Sequence, residues 1–80
     1  MTDLEKQALE RWSAETAGRM HVAKITNKAL AAECGYSVAY VSEVLNLRRG
    51  TDHTRAVVDE ALSRLEIARR PEITNATEES

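Results

Sequence analysis

Eighty residues, 42% of them hydrophobic and 30% charged, suffice for one small globular domain with a single core, and are too few for a binding module joined to a separate ligand sensor. Three glycines and one proline exclude an all-β chain built on tight turns, and one cysteine, Cys34, excludes an internal disulfide or a cysteine-rich zinc site and fits a reducing, cytoplasmic setting. The net charge of −2, taken as a sum, speaks mildly against a nucleic-acid partner.

The charge is unevenly spread. Asp3, Glu5, Glu10 and Glu15 outweigh Lys6 and Arg11 at the start, bases outnumber acids over residues 19–70, and Glu72, Glu78 and Glu79 make the end acidic. No apolar run reaches membrane-spanning length and the opening residues lack a basic-then-apolar leader, so neither a membrane partner nor export is expected.

In chain order, Thr2-Asp3-Leu4-Glu5 reads as a capping box, and Leu4, Ala8, Leu9 and Trp12 then recur at helical spacing. The expectation is a helix over about residues 3–18, ending near Gly18, followed by a connector over residues 19–25 anchored by Met20, Val22 and Ile25. Thr26 caps a second, short helix over Asn27–Cys34 with Leu30 and Ala31 inward, and Gly35 ends it. Ser37 caps a third helix, 38 to about 47, striped with Val41, Val44 and Leu45. After a loop over residues 48–51, Thr51 or Asp52 caps a fourth helix to about residue 69, with Val58, Ala61, Leu62 and Leu65 on one face, and Pro71 stops it. Residues 1–70 thus form an all-α domain, and the acidic residues 71–80 are expected to be a disordered tail.

Residues 27–46, NKALAAECGYSVAYVSEVLN, carry the functional signal. Two short helices meet at Gly35, Tyr36 and Ser37; small Ala31 permits a close crossing and Val41 and Val44 lock the pair, which are the requirements of a helix-turn-helix whose second helix fits the DNA major groove. The stretch resembles the lambda-repressor-like superfamily, the phage Cro and repressor proteins and Xre-type regulators, with some similarity to LacI-type headpieces. Leu30-Ala31, Gly35, Ser37, Val41, Val44 and Asn46 carry the resemblance, which spans roughly residues 22–66.

The resemblance implies a compact bundle of four or five helices that binds double-stranded DNA sequence-specifically as a small phage-type repressor in a bacterial or phage-infected cell, associated with the nucleoid. It implies a homodimer on palindromic half-sites roughly 34 Å apart, joined through the first helix around Trp12 or through Leu65 and Ile67. It places Ser37, Val38, Ala39, Ser42 and Glu43 against base edges with Tyr40 beside them, and Asn46 and Asn27 against phosphate. Asn27 stands where the family usually has Gln.

The residue chemistry agrees in part. Val38 and Ala39 suit thymine methyls, Ser42 donates or accepts, and Glu43 either accepts from cytosine N4 or orients a neighbouring base-reading group. No Arg or Gln lies on this face for the commonest guanine and adenine contacts, so affinity is expected to lean on phosphate contacts from Lys28, Arg48, Arg49 and Arg55, with Lys24 nearby.

Plainer readings stand beside these. Arg48 and Arg49 also read as a solvated loop, Tyr40 as a partly buried aromatic, Trp12 as core, and Cys34 as a buried, inert thiol. His21 and His53 have no second ligand at metal spacing, and no catalytic constellation is visible, so no enzyme, cofactor or small-molecule ligand is expected. The rival function is a protein-interaction module of the same fold, antitoxin-like or anti-repressor-like, which the acidic total and the missing Arg and Gln favour.

Overall fold

Four α-helices and no strand make up residues 2–68, the part of the chain that the computed structural model describes. They are α1 (Asp3–Ala23), α2 (Asn27–Cys34), α3 (Val38–Leu45) and α4 (Asp52–Ala68). The expectations for Arg69, Arg70, Pro71 and the acidic tail lie outside the described residues.

Local chemistry explains most helix ends. The capping box at the start of α1 is complete: the Glu5 amide donates to Thr2 Oγ1 at 3.1 Å and the Thr2 amide donates to Glu5 Oε1 at 2.9 Å. Thr26 caps α2 through the Ala29 amide at 3.1 Å, Ser37 caps α3 through the Tyr40 amide at 3.1 Å, and Thr51 rather than Asp52 caps α4 through the Thr54 amide at 3.2 Å. Gly35 closes α2 in the left-handed region, φ +80°, its N–H donating to the Ala31 carbonyl.

Two ends differ from expectation. α1 does not stop at Gly18 but continues to Ala23. Lys24 takes the left-handed turn at φ 58°, and the amides of Lys24 and Ile25 donate to the carbonyls of His21 and Met20, a Schellman motif sealed by buried Met20 and Ile25. Val22, two helical positions from Met20, is therefore rotated out of the core and is 82% exposed rather than an anchor. Likewise α3 ends at Leu45, not near residue 47, because Leu47 goes left-handed at φ 63° and the amides of Leu47 and Arg48 donate to the carbonyls of Val44 and Glu43.

The core is Met20, Ile25, Leu30, Ala31, Val41, Val44, Val58, Ala61 and Leu62. Leu65, expected inside, is partly buried at its margin, as is Trp12. α2 packs on both α3 and α4, so Ala31, 1% exposed, is the small residue at the crossing. α1 lies along α4 in parallel: Trp12 Nε1 donates to Asp59 Oδ1 at 2.9 Å, and Arg19 grips Glu66 by a two-point fork at 3.0 and 2.7 Å, each pair 47 residues apart. The Glu66 hydrogen bond holds the Arg19 proton more tightly than usual, against the opposing effect of burial. Ser13 Oγ donates to the Leu45 carbonyl at 2.6 Å, tying α1 to the last turn of α3.

Gly50, at φ +104°, sits where a Cβ would lie 3.2 Å from Val44 Cγ2. Gly50→Ala is expected to lower stability by about 1–3 kcal/mol through backbone strain and crowding of a core valine. Gly35→Ala, with open space around it, is expected to lose only about 1 kcal/mol, the left-handed cost alone. Urea midpoints of the two variants check the order.

Candidate nucleic-acid interface

α3 has one sealed face and one open face. Val41 and Val44 are fully buried, whereas Ser37, Ala39 and Asn46 are exposed and Val38 is 45% exposed. Successive helix positions turn by about 100°. That rotation aligns Ala39, Ser42, Glu43 and Asn46 opposite the valines, with Tyr40 on one flank and Val38 on the other.

Several of these side chains are already engaged. Ser37 Oγ accepts the capping bond and keeps its own O–H free to donate. Asn46 Nδ2 donates to the Ser42 carbonyl at 2.9 Å, leaving the second amide N–H and the carbonyl oxygen for other partners. Tyr40 is half-buried: its ring packs edge-on against Tyr36 with centroids 5.1 Å apart, and its hydroxyl lies 3.3 Å from Thr54 Oγ1 on α4. Thr54 is itself 5% exposed and lies 3.2 Å from the Thr51 hydroxyl. The Thr51–Thr54–Tyr40 chain braces α3 against α4. Sequence reading did not single out Thr54; its spacing three residues after the capping Thr51 is the signal that marks it.

Glu43 and Arg49 meet across the left-handed turn. Arg49 Nη1 donates to Glu43 Oε1 at 3.2 Å, and the Arg49 guanidinium carbon stands 5.5 Å from the Tyr40 ring centroid. Both side chains stay open to solvent, at 62% and 44%. The pair is too exposed to hold the fold together.

The remaining candidates divide. Asn27, the first residue of α2, and Asn46, just past α3, line one cleft of about 410 Å³ with Ser13, His21, Ile25 and Leu45, so two residues far apart in sequence come to one rim. Lys28 and Arg48 are exposed and form no ion pair among the described residues. Arg55 is placed differently. Its side chain is 17% exposed, donates to Asp52 Oδ1 at 2.7 Å, and lines a depression with Glu5, Ala8 and Leu9 of α1.

Away from this face, Arg64 and Cys34 adjoin on α4 and α2. Arg64 Nε donates to Glu33 Oε2 at 2.7 Å, a hydrogen bond that raises the Arg64 pKa further. Partial burial raises the Cys34 thiol above its ordinary value, with Arg64 opposing, and the residue is half-buried rather than enclosed. Among the described residues no His, Cys, Asp and Glu cluster could hold a metal ion, and no helix is long and apolar enough to cross a membrane. No family model, no curated protein and no solved structure matches the chain.

Proposed function

We propose that the chain is a sequence-specific double-stranded DNA-binding protein of the helix-turn-helix, lambda-repressor-like kind, acting as a small transcriptional repressor. α2 and α3 are the paired helices of the motif, and α3 enters the major groove. One observation carries this reading: α3 is eight residues long, rests on two sealed valines, and presents small or short polar groups at Ala39, Ser42 and Asn46. A helix with that profile lets base edges approach closely, and it is followed at once by Arg48 and Arg49.

Within this reading Val38 and Ala39 touch thymine methyls, Ser37 and Ser42 supply hydroxyls, and Glu43 accepts from a cytosine amine. Asn27, Lys28, Asn46 and Arg48 position the helix through phosphates. Arg55, engaged by Asp52 and largely covered, contributes to the local field and reaches phosphate only by exchanging that partner. A single eight-residue helix reads few bases, so two copies act on a palindromic site. Of Trp12, Leu65 and Ile67, the first two are half-buried and Ile67, 66% exposed, is the most open for a contact between copies.

The test is binding of the chain to random duplex DNA at rising salt. The expected result is a linear fall of log K with log salt, with a slope of about −0.9 for every phosphate contacted. Arg48→Ala is expected to reduce the steepness by about 0.9 and to weaken all sequences alike. Undetectable binding at low salt would instead favour a protein-interaction module.

A further inference from the structure

We propose that Glu43 and Arg49 work as one unit that reads a single cytosine·guanine pair, Glu43 accepting from cytosine N4 and Arg49 donating to guanine O6 and N7. The inference rests on the DNA-binding reading of α3 and moves Arg49 from the phosphates to the base edges.

Three observations carry it. The α3 face holds an acid, Glu43, where a carboxylate alone would be repelled by the phosphate rails. The Arg49 contact at 3.2 Å removes that objection, because the pair enters the groove without net charge. Second, the arginine is turned toward the face of α3. The left-handed Leu47 and the bond from the Arg48 amide to the Glu43 carbonyl, 2.8 Å, fold the loop back over α3. The guanidinium then stands 5.5 Å from the Tyr40 ring centroid, and Tyr40 is braced by Tyr36 and Thr54. The bridge to the carboxylate and the neighbouring ring bias the guanidinium toward the open face of α3, which lowers the ordering cost that a free loop arginine would meet on binding.

Third, the donor and acceptor order matches. In the major groove a C·G pair presents an N4 amine donor beside the guanine O6 and N7 acceptors. A carboxylate next to a guanidinium is the complement of that row. Glu43 Oε1 takes the Arg49 Nη1 bond, which leaves Oε2 for the cytosine amine, and the remaining guanidinium N–H groups are left for guanine. The resulting row gives a helix face without its own Arg or Gln a means of distinguishing a G·C pair.

Selection of bound duplexes from a random pool tests the assignment, run in parallel on the parent, Glu43→Gln, Arg49→Lys and Arg49→Ala. The parent is expected to enrich a consensus with an invariant C·G pair in each half-site. Glu43→Gln and Arg49→Lys are both expected to relax that same position by about tenfold or more while the other positions persist. Arg49→Lys is the discriminating variant, because lysine keeps the charge a phosphate contact needs and loses the planar set of donors that bridges Glu43 and spans guanine O6 and N7 at once. A parent consensus that Arg49→Lys and Glu43→Gln leave intact, or that they relax at two unrelated positions, overturns the base-pair assignment and leaves the DNA-binding reading standing. A parent that enriches nothing overturns the DNA-binding reading, and the assignment with it.

Discussion

Leu62→Ala is expected to destabilise the fold by about 3 kcal/mol, the largest stability loss from any single conservative truncation in the α4 face. Leu62 is 0% exposed and lies in the cluster that joins α4 to α2 and α3. Truncating a fully buried leucine removes its transfer free energy and leaves a cavity, together about 2–5 kcal/mol. A chain of this length has a total stability of roughly 4–12 kcal/mol at the usual 0.05–0.15 kcal/mol per residue. The substitution therefore removes a large fraction of the whole. Urea unfolding followed by far-ultraviolet circular dichroism measures it. Glu60→Ala, at an exposed site on the same helix outside any proposed contact, is expected to change the midpoint little, by less than about 0.5 kcal/mol. Equal losses at the two sites would mean that α4 does not bury the face described above.

Ala39→Glu is expected to abolish most DNA binding while leaving the fold intact. Ala39 is exposed, second in α3, and opposite the sealed valines. A glutamate near a helix N-terminus suits the helix dipole, and the neighbouring charge of Glu43 four residues on opposes it by a similar few tenths of a kcal/mol. The helix is thus expected to stay formed. In the groove the new charge faces phosphates on both sides. A unit charge about 8 Å from a like charge at an effective dielectric of about 20 costs about 2 kcal/mol, which is roughly thirty-fold in affinity. Lost close approach adds to that. Ala39→Ser, small and neutral, is expected to stay within a few-fold of the parent. Fluorescence anisotropy with a labelled duplex measures both, and circular dichroism of the same samples checks the fold. Unchanged affinity in Ala39→Glu would remove α3 from the interface.

The short elements were legible in the sequence because their boundaries are local. Thr26 and Gly35 bracket α2, and Ser37 and Thr51 start α3 and α4, where hydroxyl caps and a left-handed glycine act within three or four residues. Six side chains expected in the core, Leu30, Ala31, Val41, Val44, Val58 and Leu62, are essentially buried, since they follow the helical period. The misplaced boundaries share one cause. Lys24 and Leu47 adopt left-handed conformations that the sequence advertises with glycine, while Gly18 sits inside α1 with nothing within 4 Å of its missing side chain. A non-glycine residue accepts that cost of about 1–2 kcal/mol when tertiary contacts repay it. Burial of Met20 and Ile25 does so at the first site; at the second, the Ser13 bond to the Leu45 carbonyl helps fix the end of α3.

The candidate interface was legible to the same depth. The pattern of valines and small residues located the exposed side of α3 without any tertiary information. The Glu43–Arg49 bridge, the Tyr40–Thr54 brace and the meeting of Asn27 with Asn46 were not legible, because each depends on where a loop or a neighbouring helix comes back. Arg55 is a divided case: its basic character and its i,i+3 spacing from Asp52 are visible in the sequence, but its place in one depression with Glu5 and Leu9 of α1 is not.

Amide chemical-shift mapping of the isotope-labelled chain during titration with duplex DNA tests most directly whether α3 is the element that meets the groove. Concentrated perturbations are expected over residues 37–49 and at Asn27 and Lys28, fading as salt is raised, with the amides of Gln7 and Glu60 unmoved. Shifts confined to α1 and α4, or none at low salt, would contradict the account.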